Sequence, residues 1–157
     1  MAIGQFSALL SELGQELRLP LVPDENDACV IRFPNGIKVQ LEIDDADEFF
    51  VLLADIGSIP LGRYREDIFK EALQYNGTKE PRRGTFAFSS QTGTLIFFKQ
   101  LTLNNLNGRK IHRALIPLME TAYMWHSAIA NGEHPTIENL FQDSEESGSQ
   151  GLFGLKP

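Results

Sequence analysis

Two segments of this chain are apolar on both faces at strand spacing, and they restrict the fold more than any other feature. In Glu48–Ile56, Phe49, Val51 and Leu53 fall on one face, and Phe50, Leu52 and Ala54 on the other. Leu95–Phe98 repeats the pattern inside a second strand, Thr94–Leu101. A strand apolar on both sides belongs where both sides are shielded from water. The fold must therefore bring cover to both faces, from its own helices or from another chain.

Three segments offer helical cover. In the first, Phe6, Leu9, Leu10, Leu13 and Leu17 recur at helical spacing, opposite Ser11, Glu12, Gln15, Glu16 and Arg18. This predicts a helix from Gly4 to Leu19, closed by Pro20 and Pro23. The second, Arg63–Asn76, aligns Tyr64, Ile68, Ala72 and Tyr75, with Phe69 and Leu73 widening the stripe and Gly77 as its stop. The third leads in through Asn104–Gly108 and runs to about Ala130, with Ile111, Leu115, Leu118, Ala122, Trp125 and Ile129 as its stripe. Pro117 lies inside it and predicts a kink or a late start.

The remaining segments read as strands and turns. Ala28–Phe33 and Ile37–Ile43 flank Pro34-Asn35-Gly36, a hairpin signal because Asn-Gly tolerates positive φ. Ile37–Ile43 alternates apolar and polar residues, as a half-exposed strand does. Thr85–Ser89 is a short strand with Phe86 and Phe88 on one face, and Gln91-Thr92-Gly93 turns the chain back. The order αβββαββα is an α+β fold: a twisted, mainly antiparallel sheet with helices packed on it. Residues 1–132 form one domain. Residues 133–157 read as a flexible acidic tail, Ser- and Gly-rich over Asp143–Gly151, ending in the apolar patch Leu152-Phe153-Gly154-Leu155.

Composition narrows the function. The net charge of −7 over 157 residues argues against nucleic acid, whose binding needs a basic footprint, and against anionic membrane surfaces. The basic loop Lys79–Gly84 reads as solvated in so acidic a chain. No apolar run approaches the length of a membrane span, and the N-terminus lacks the basic flank and unbroken apolar stretch of a signal peptide. Cys29, the single cysteine, reads as a small strand residue in a reducing, cytoplasmic setting.

The search for chemistry returns little. His112 and His126 are too far apart on one helix to share a metal, and His134 stands alone. No phosphate-binding glycine loop and no nucleophile elbow occurs. Asp24–Asp27 and Asp44–Asp47 lack the glycine and terminal glutamate of a calcium loop, and read as solvated turns. No catalytic residue, metal or cofactor is expected.

What remains is an apolar surplus, and large exposed apolar area marks an interface. A second copy of the chain or a different protein would cover it; the alternative is helices on both sheet faces of a monomer.

Leu9-Leu10-Ser11-Glu12-Leu13-Gly14-Gln15-Glu16-Leu17-Arg18-Leu19-Pro20 resembles the opening signature of class I type III secretion chaperones, the CesT/SycE-like family. The likeness extends over about residues 5–130, including Ile59-Pro60, Ser90-Gln91-Thr92-Gly93 and Trp125 near the end of the last helix. It implies a small acidic bacterial cytoplasmic homodimer without enzymatic activity. Such a chaperone binds the extended N-terminal segment of a secreted effector, keeps it soluble and presents it to the secretion ATPase. It implies a dimer built on Ile68, Phe69, Leu73, Phe86 and Phe88, and effector grooves using Phe6, Leu10, Leu13, Ile31, Val39 and Leu41. In the first helix, Leu13 and Leu17 would hold the fold while Phe6 and Leu10 face a groove. Pro117 and the long tail depart from the family pattern. The Leu152–Leu155 patch would either dock on an empty groove or form a disordered end. A YbjN-like protein of the same fold, with a regulatory or interaction role, is the alternative. A small enzyme or ligand-binding domain is weakened by the missing catalytic constellation.

Overall fold

The computed structural model describes residues 2–135. The acidic stretch and the Leu152–Leu155 patch lie outside the described residues. The elements are α1 (Ala2–Leu17), β1 (Ala28–Arg32), β2 (Lys38–Ile43), β3 (Phe49–Ser58), α2 (Arg63–Asn76), β4 (Thr85–Ser89), β5 (Thr94–Thr102) and α3 (Gly108–Ala130). All strand pairs are antiparallel, in the order β1-β2-β3-β5-β4, so the doubly apolar β3 and β5 lie inside the sheet.

Local chemistry explains where the elements stop. Helix α1 ends two residues before the expected Leu19, because Arg18 adopts a left-handed conformation with φ 57°. The Leu19 amide then donates to the Gly14 carbonyl at 2.9 Å. A Cβ on residue 14 would sit 2.5 Å from the Leu19 carbonyl oxygen, so this fold-back needs glycine. Each of the two acidic segments builds a turn closed by its first aspartate. Asp24 Oδ1 accepts from the amides of Asn26 and Ala28 at 2.8 and 3.0 Å. Asp44 Oδ1 accepts from Glu48 and Phe49 at 2.8 and 2.9 Å. In each turn the fourth residue, Asp27 or Asp47, takes φ 55°. The hairpin between β1 and β2 closes through Asn35 Oδ1, which accepts from Ile37 N at 3.0 Å.

The helices pack against one face of the sheet. Phe50, Leu52, Ala54 and Ile56 of β3 are buried on that face with Leu95 and Phe97 of β5. Phe6 of α1 meets Phe50 at 5.8 Å between ring centroids, Tyr75 of α2 meets Phe97 at 5.7 Å, and Trp125 of α3 meets Phe86 of β4 at 4.1 Å. On the opposite face Phe49, Val51, Leu53, Ile96 and Phe98 are only half-buried, and Val30 is exposed. The cover expected on both faces of β3 is thus supplied by the chain's helices on one face alone.

Helices α1 and α3 meet closely. A Cβ on Gly108 would fall 2.5–2.6 Å from atoms of Glu12 and Leu13, and the Gly108 amide donates to Glu12 Oε2 at 2.8 Å. That carboxylate sits at the positive N-terminal end of α3, where Asn107 also caps the Lys110 amide. Helix α3 runs through Pro117 from Gly108 to Ala130, so the late start does not occur. Leu115 and Leu118, both fully buried, hold it in place on either side of the proline. After α3, Glu133–Pro135 turn back on the fold: Tyr64 Oη donates to the Glu133 carbonyl at 2.6 Å, His134 Nε2 lies 3.4 Å from Asp67 Oδ2, and Pro135 is buried.

Candidate functional site

Two of the three histidines are occupied with structure. His126 Nδ1 lies 2.7 Å from the Ile56 carbonyl beside the β3 bulge at Gly57, and His134 pairs with Asp67. Burial and the nearby Asp24 charge push the Cys29 thiol up, away from the reactive thiolate. Burial likewise raises the Tyr75 phenol, which accepts from the Arg83 amide at 3.1 Å. Among the described residues no cluster of His, Cys, Asp and Glu has the arrangement of a metal site. No helix among them is long and apolar enough to cross a membrane.

Two surfaces carry residues expected at an interface or groove. The first lies where α2 overhangs the edge strand β4. Ile68, Ala72 and Tyr75 form the buried stripe of α2. The adjacent stripe is Arg65, Phe69, Leu73 and Asn76, spaced four, four and three residues apart. Phe69 packs on Phe88 at 4.9 Å between centroids, and the Arg65 guanidinium lies 5.0 Å from the Phe88 ring centre. Leu73 projects into solvent with 70 % of its surface exposed. Phe69, Leu73, Phe86 and Phe88, with Ala72 and Leu95, line an apolar cavity of about 150 Å³. Asn76 clamps the strand beneath: its side chain donates to the Phe86 carbonyl at 2.9 Å and accepts from the Phe86 amide at 2.8 Å.

Four of the five residues expected at the dimer interface thus converge on one patch, and Ile68 is fully buried beneath it. Arg65 and Asn76 were not among them. Their spacing from Phe69 and Leu73 was the available signal.

The second surface lies at the other end of the sheet. Phe6 and Ile43 line a concavity of about 360 Å³ ringed by Asp27, Glu42, Asp44 and Asp47. Of the six residues expected to face an effector, Phe6 reaches this concavity while remaining 3 % exposed. Leu10, Leu13, Val39 and Leu41 are fully buried and Ile31 nearly so, all in the core that α1, β1 and β2 share. Leu17, expected to hold the fold beside Leu13, is only partly buried at the end of α1. The strands bring these side chains together, and α1 covers them.

A family model for Tir chaperone protein (CesT) matches residues 8–126, from the first helix to the residue after Trp125. The chain belongs to the CesT family. No curated protein matches the sequence of this CesT-family member. Its fold is that of solved secretion chaperones. The structure of the HopA1–SchA chaperone–effector complex matches with a TM-score of 0.65 at 19 % identity, over 82 % of this chain and 98 % of that one. The Yersinia pestis type III secretion chaperone SycH, in complex with a fragment of YscM2, matches at 0.56 and 20 % identity, over 74 % and 96 %. The ExoU–SpcU complex from the type III secretion system of Pseudomonas aeruginosa matches at 0.58 and 20 % identity, over 82 % and 99 %. The CesT match favours a chaperone over the YbjN-like alternative.

Proposed function

We propose that this protein is a non-enzymatic chaperone of type III secretion effectors, acting in the bacterial cytoplasm as a homodimer. The CesT-family match over residues 8–126 carries this reading. The chaperone–effector complexes among its structural relatives supply the client class. Its task would be to bind an effector near its N-terminus, hold it soluble and pass it to the secretion ATPase.

The two surfaces divide the work. The α2–β4 patch pairs with its copy through Phe69, Leu73 and Phe88, on a base of Ile68 and Phe86. Asn76 satisfies the outward amide and carbonyl of Phe86, so side-chain packing rather than strand addition would join the protomers at this position. The client goes to the opposite end, where β1 is the other edge of the sheet. An extended client segment would add to β1 and rest an apolar side chain against Phe6 and Ile43. Leu10, Leu13, Ile31, Val39 and Leu41 form the floor that keeps this surface in shape.

Purification of the tagged chain from its native source tests the reading. A stoichiometric secreted protein, protected from protease near its N-terminus by the chaperone, is the expected result. Repeated recovery of the chain with no client would contradict it.

A further inference from the structure

We propose that Arg32 and Lys38 read an acidic residue of the client, on the sheet face that the helices leave open. This rests on the reading that the client adds to β1, and it states what chemistry the added segment carries.

The register places Arg32 directly opposite Lys38 in the β1–β2 ladder. Their neighbours Ile31 and Val39 are buried on the helix side, so both cations stand on the open face. Like charges directly across a ladder repel each other and cost stability. Among the described residues the ion pairs are Arg82–Glu80, Arg83–Glu120, Arg109–Glu16 and His134–Asp67, and none involves either cation. Asp55, on β3, turns its Oδ1 to the Gly57 amide at 2.9 Å. The chain as a whole carries a net charge of −7, so two facing cations are a local reversal of its sign. A carboxylate from outside would relieve their repulsion and gain attraction from both.

The surroundings say what kind of anion fits. Arg32 and Lys38 rim a concavity of about 420 Å³ floored by Val30, Leu53 and Ile96. Val30 is 41 % exposed, and Leu53 and Ile96 are half-buried. An apolar floor beside two cations suits a peptide with an apolar and an acidic side chain on one face. A small inorganic anion would gain nothing from the floor. Val30 and Arg32 lie two residues apart on one side of an edge strand. A strand added to β1 therefore presents an apolar residue to Val30 and, two positions along, an Asp or Glu to Arg32. The Cα of that acidic residue lies two strand spacings, roughly 10 Å, from the Cα of Lys38. The long side chains of Lys38 and a glutamate span that gap together.

The chain purified with its client tests this, using the protease-protected client segment as a synthetic peptide probe. The parent is compared with a neutral double variant, Arg32→Gln with Lys38→Gln, and a reversed one, Arg32→Glu with Lys38→Glu. Both positions are exposed, so all three chains should give the same folded circular dichroism spectrum. The peptide should bind the neutral variant about fivefold more weakly than the parent, and the reversed variant more weakly still. The neutral variant should unfold at or above the parent's urea midpoint, because the repulsion is gone. Exchanging the peptide's acidic residue for Lys should restore binding to the reversed variant. Equal affinity for the three chains, no rescue by the Lys peptide, or a protected segment lacking an acidic residue two positions from an apolar one would overturn the assignment and leave the chaperone reading standing. A neutral variant that loses stability along with affinity would overturn it too, by making the pair structural. Repeated failure to recover any client would overturn both readings.

Discussion

Helices α1 and α2 carry apolar stripes of similar width, yet the fold treats them in opposite ways. On α1, Phe6, Leu9, Leu10 and Leu13 all fall to 5 % exposure or less. On α2, only Ile68, Ala72 and Tyr75 are buried, while Phe69 stays half-exposed and Leu73 stands in solvent. The difference is in the neighbours. Helix α1 has the sheet beneath it and α3 beside it, drawn close by Gly108. Helix α2 lies over β4, a five-residue edge strand, and its stripe is wider than the surface below. An apolar stripe becomes core or interface according to what is packed on its two sides, and the surplus on α2 is available to another molecule.

Substitutions that exchange the two situations test this contrast. The largest effect is expected at Leu10→Asp, which places an unpaired carboxylate in a fully buried site. It should cost upwards of about 4 kcal/mol and abolish the cooperative unfolding transition in urea. A folded protein that has lost only its client would instead return Leu10 to a groove. Next comes Gly108→Ala, whose methyl would press on Glu12 and Leu13. Thermal denaturation should show a loss of about 1–3 kcal/mol, the cost of overpacking a tight contact. Asn76→Ala should cost about 1–2 kcal/mol in urea unfolding, because it leaves both backbone groups of Phe86 without their partner.

The smallest effect concerns pH. The folded Cys29 thiol keeps its proton above the ordinary value of 9.0, because burial and Asp24 both oppose the thiolate. The unfolded thiol ionises first as pH rises, so the native state loses stability across that range. Urea midpoints measured from neutral to alkaline pH should fall slightly less in Cys29→Ala than in the parent chain.

Much of this was legible in the sequence, for reasons tied to particular residues. Asn35-Gly36, the two acidic turns and Gly77 punctuate the chain locally, so the bounds of α2 and β4 follow from the sequence alone and the other element ends fall within two residues. The burial of Leu10 was not legible. Its spacing in α1 is the same whether the face meets a groove or a core, and the covering helix α3 lies almost a hundred residues away, joined through Glu12 and Gly108. The late start offered for Pro117 failed for a similar reason, since its penalty is local while Leu115 and Leu118 anchor the helix through distant contacts. The α2 stripe was half-legible: Phe69 and Leu73 stood out as apolar, whereas Arg65 and Asn76 shared their spacing but not their apolarity, and their contacts to Phe88 and Phe86 need β4 beneath them.

Sedimentation equilibrium of the parent chain and of Leu73→Glu tests the central claim most directly. The parent should sediment at twice the 17.6 kDa chain mass. The variant should sediment at the single-chain mass while keeping its folded circular dichroism spectrum, since Leu73 is 70 % exposed in the protomer. A monomeric parent, or a Leu73→Glu variant that remains dimeric, would contradict the assignment of the α2–β4 surface.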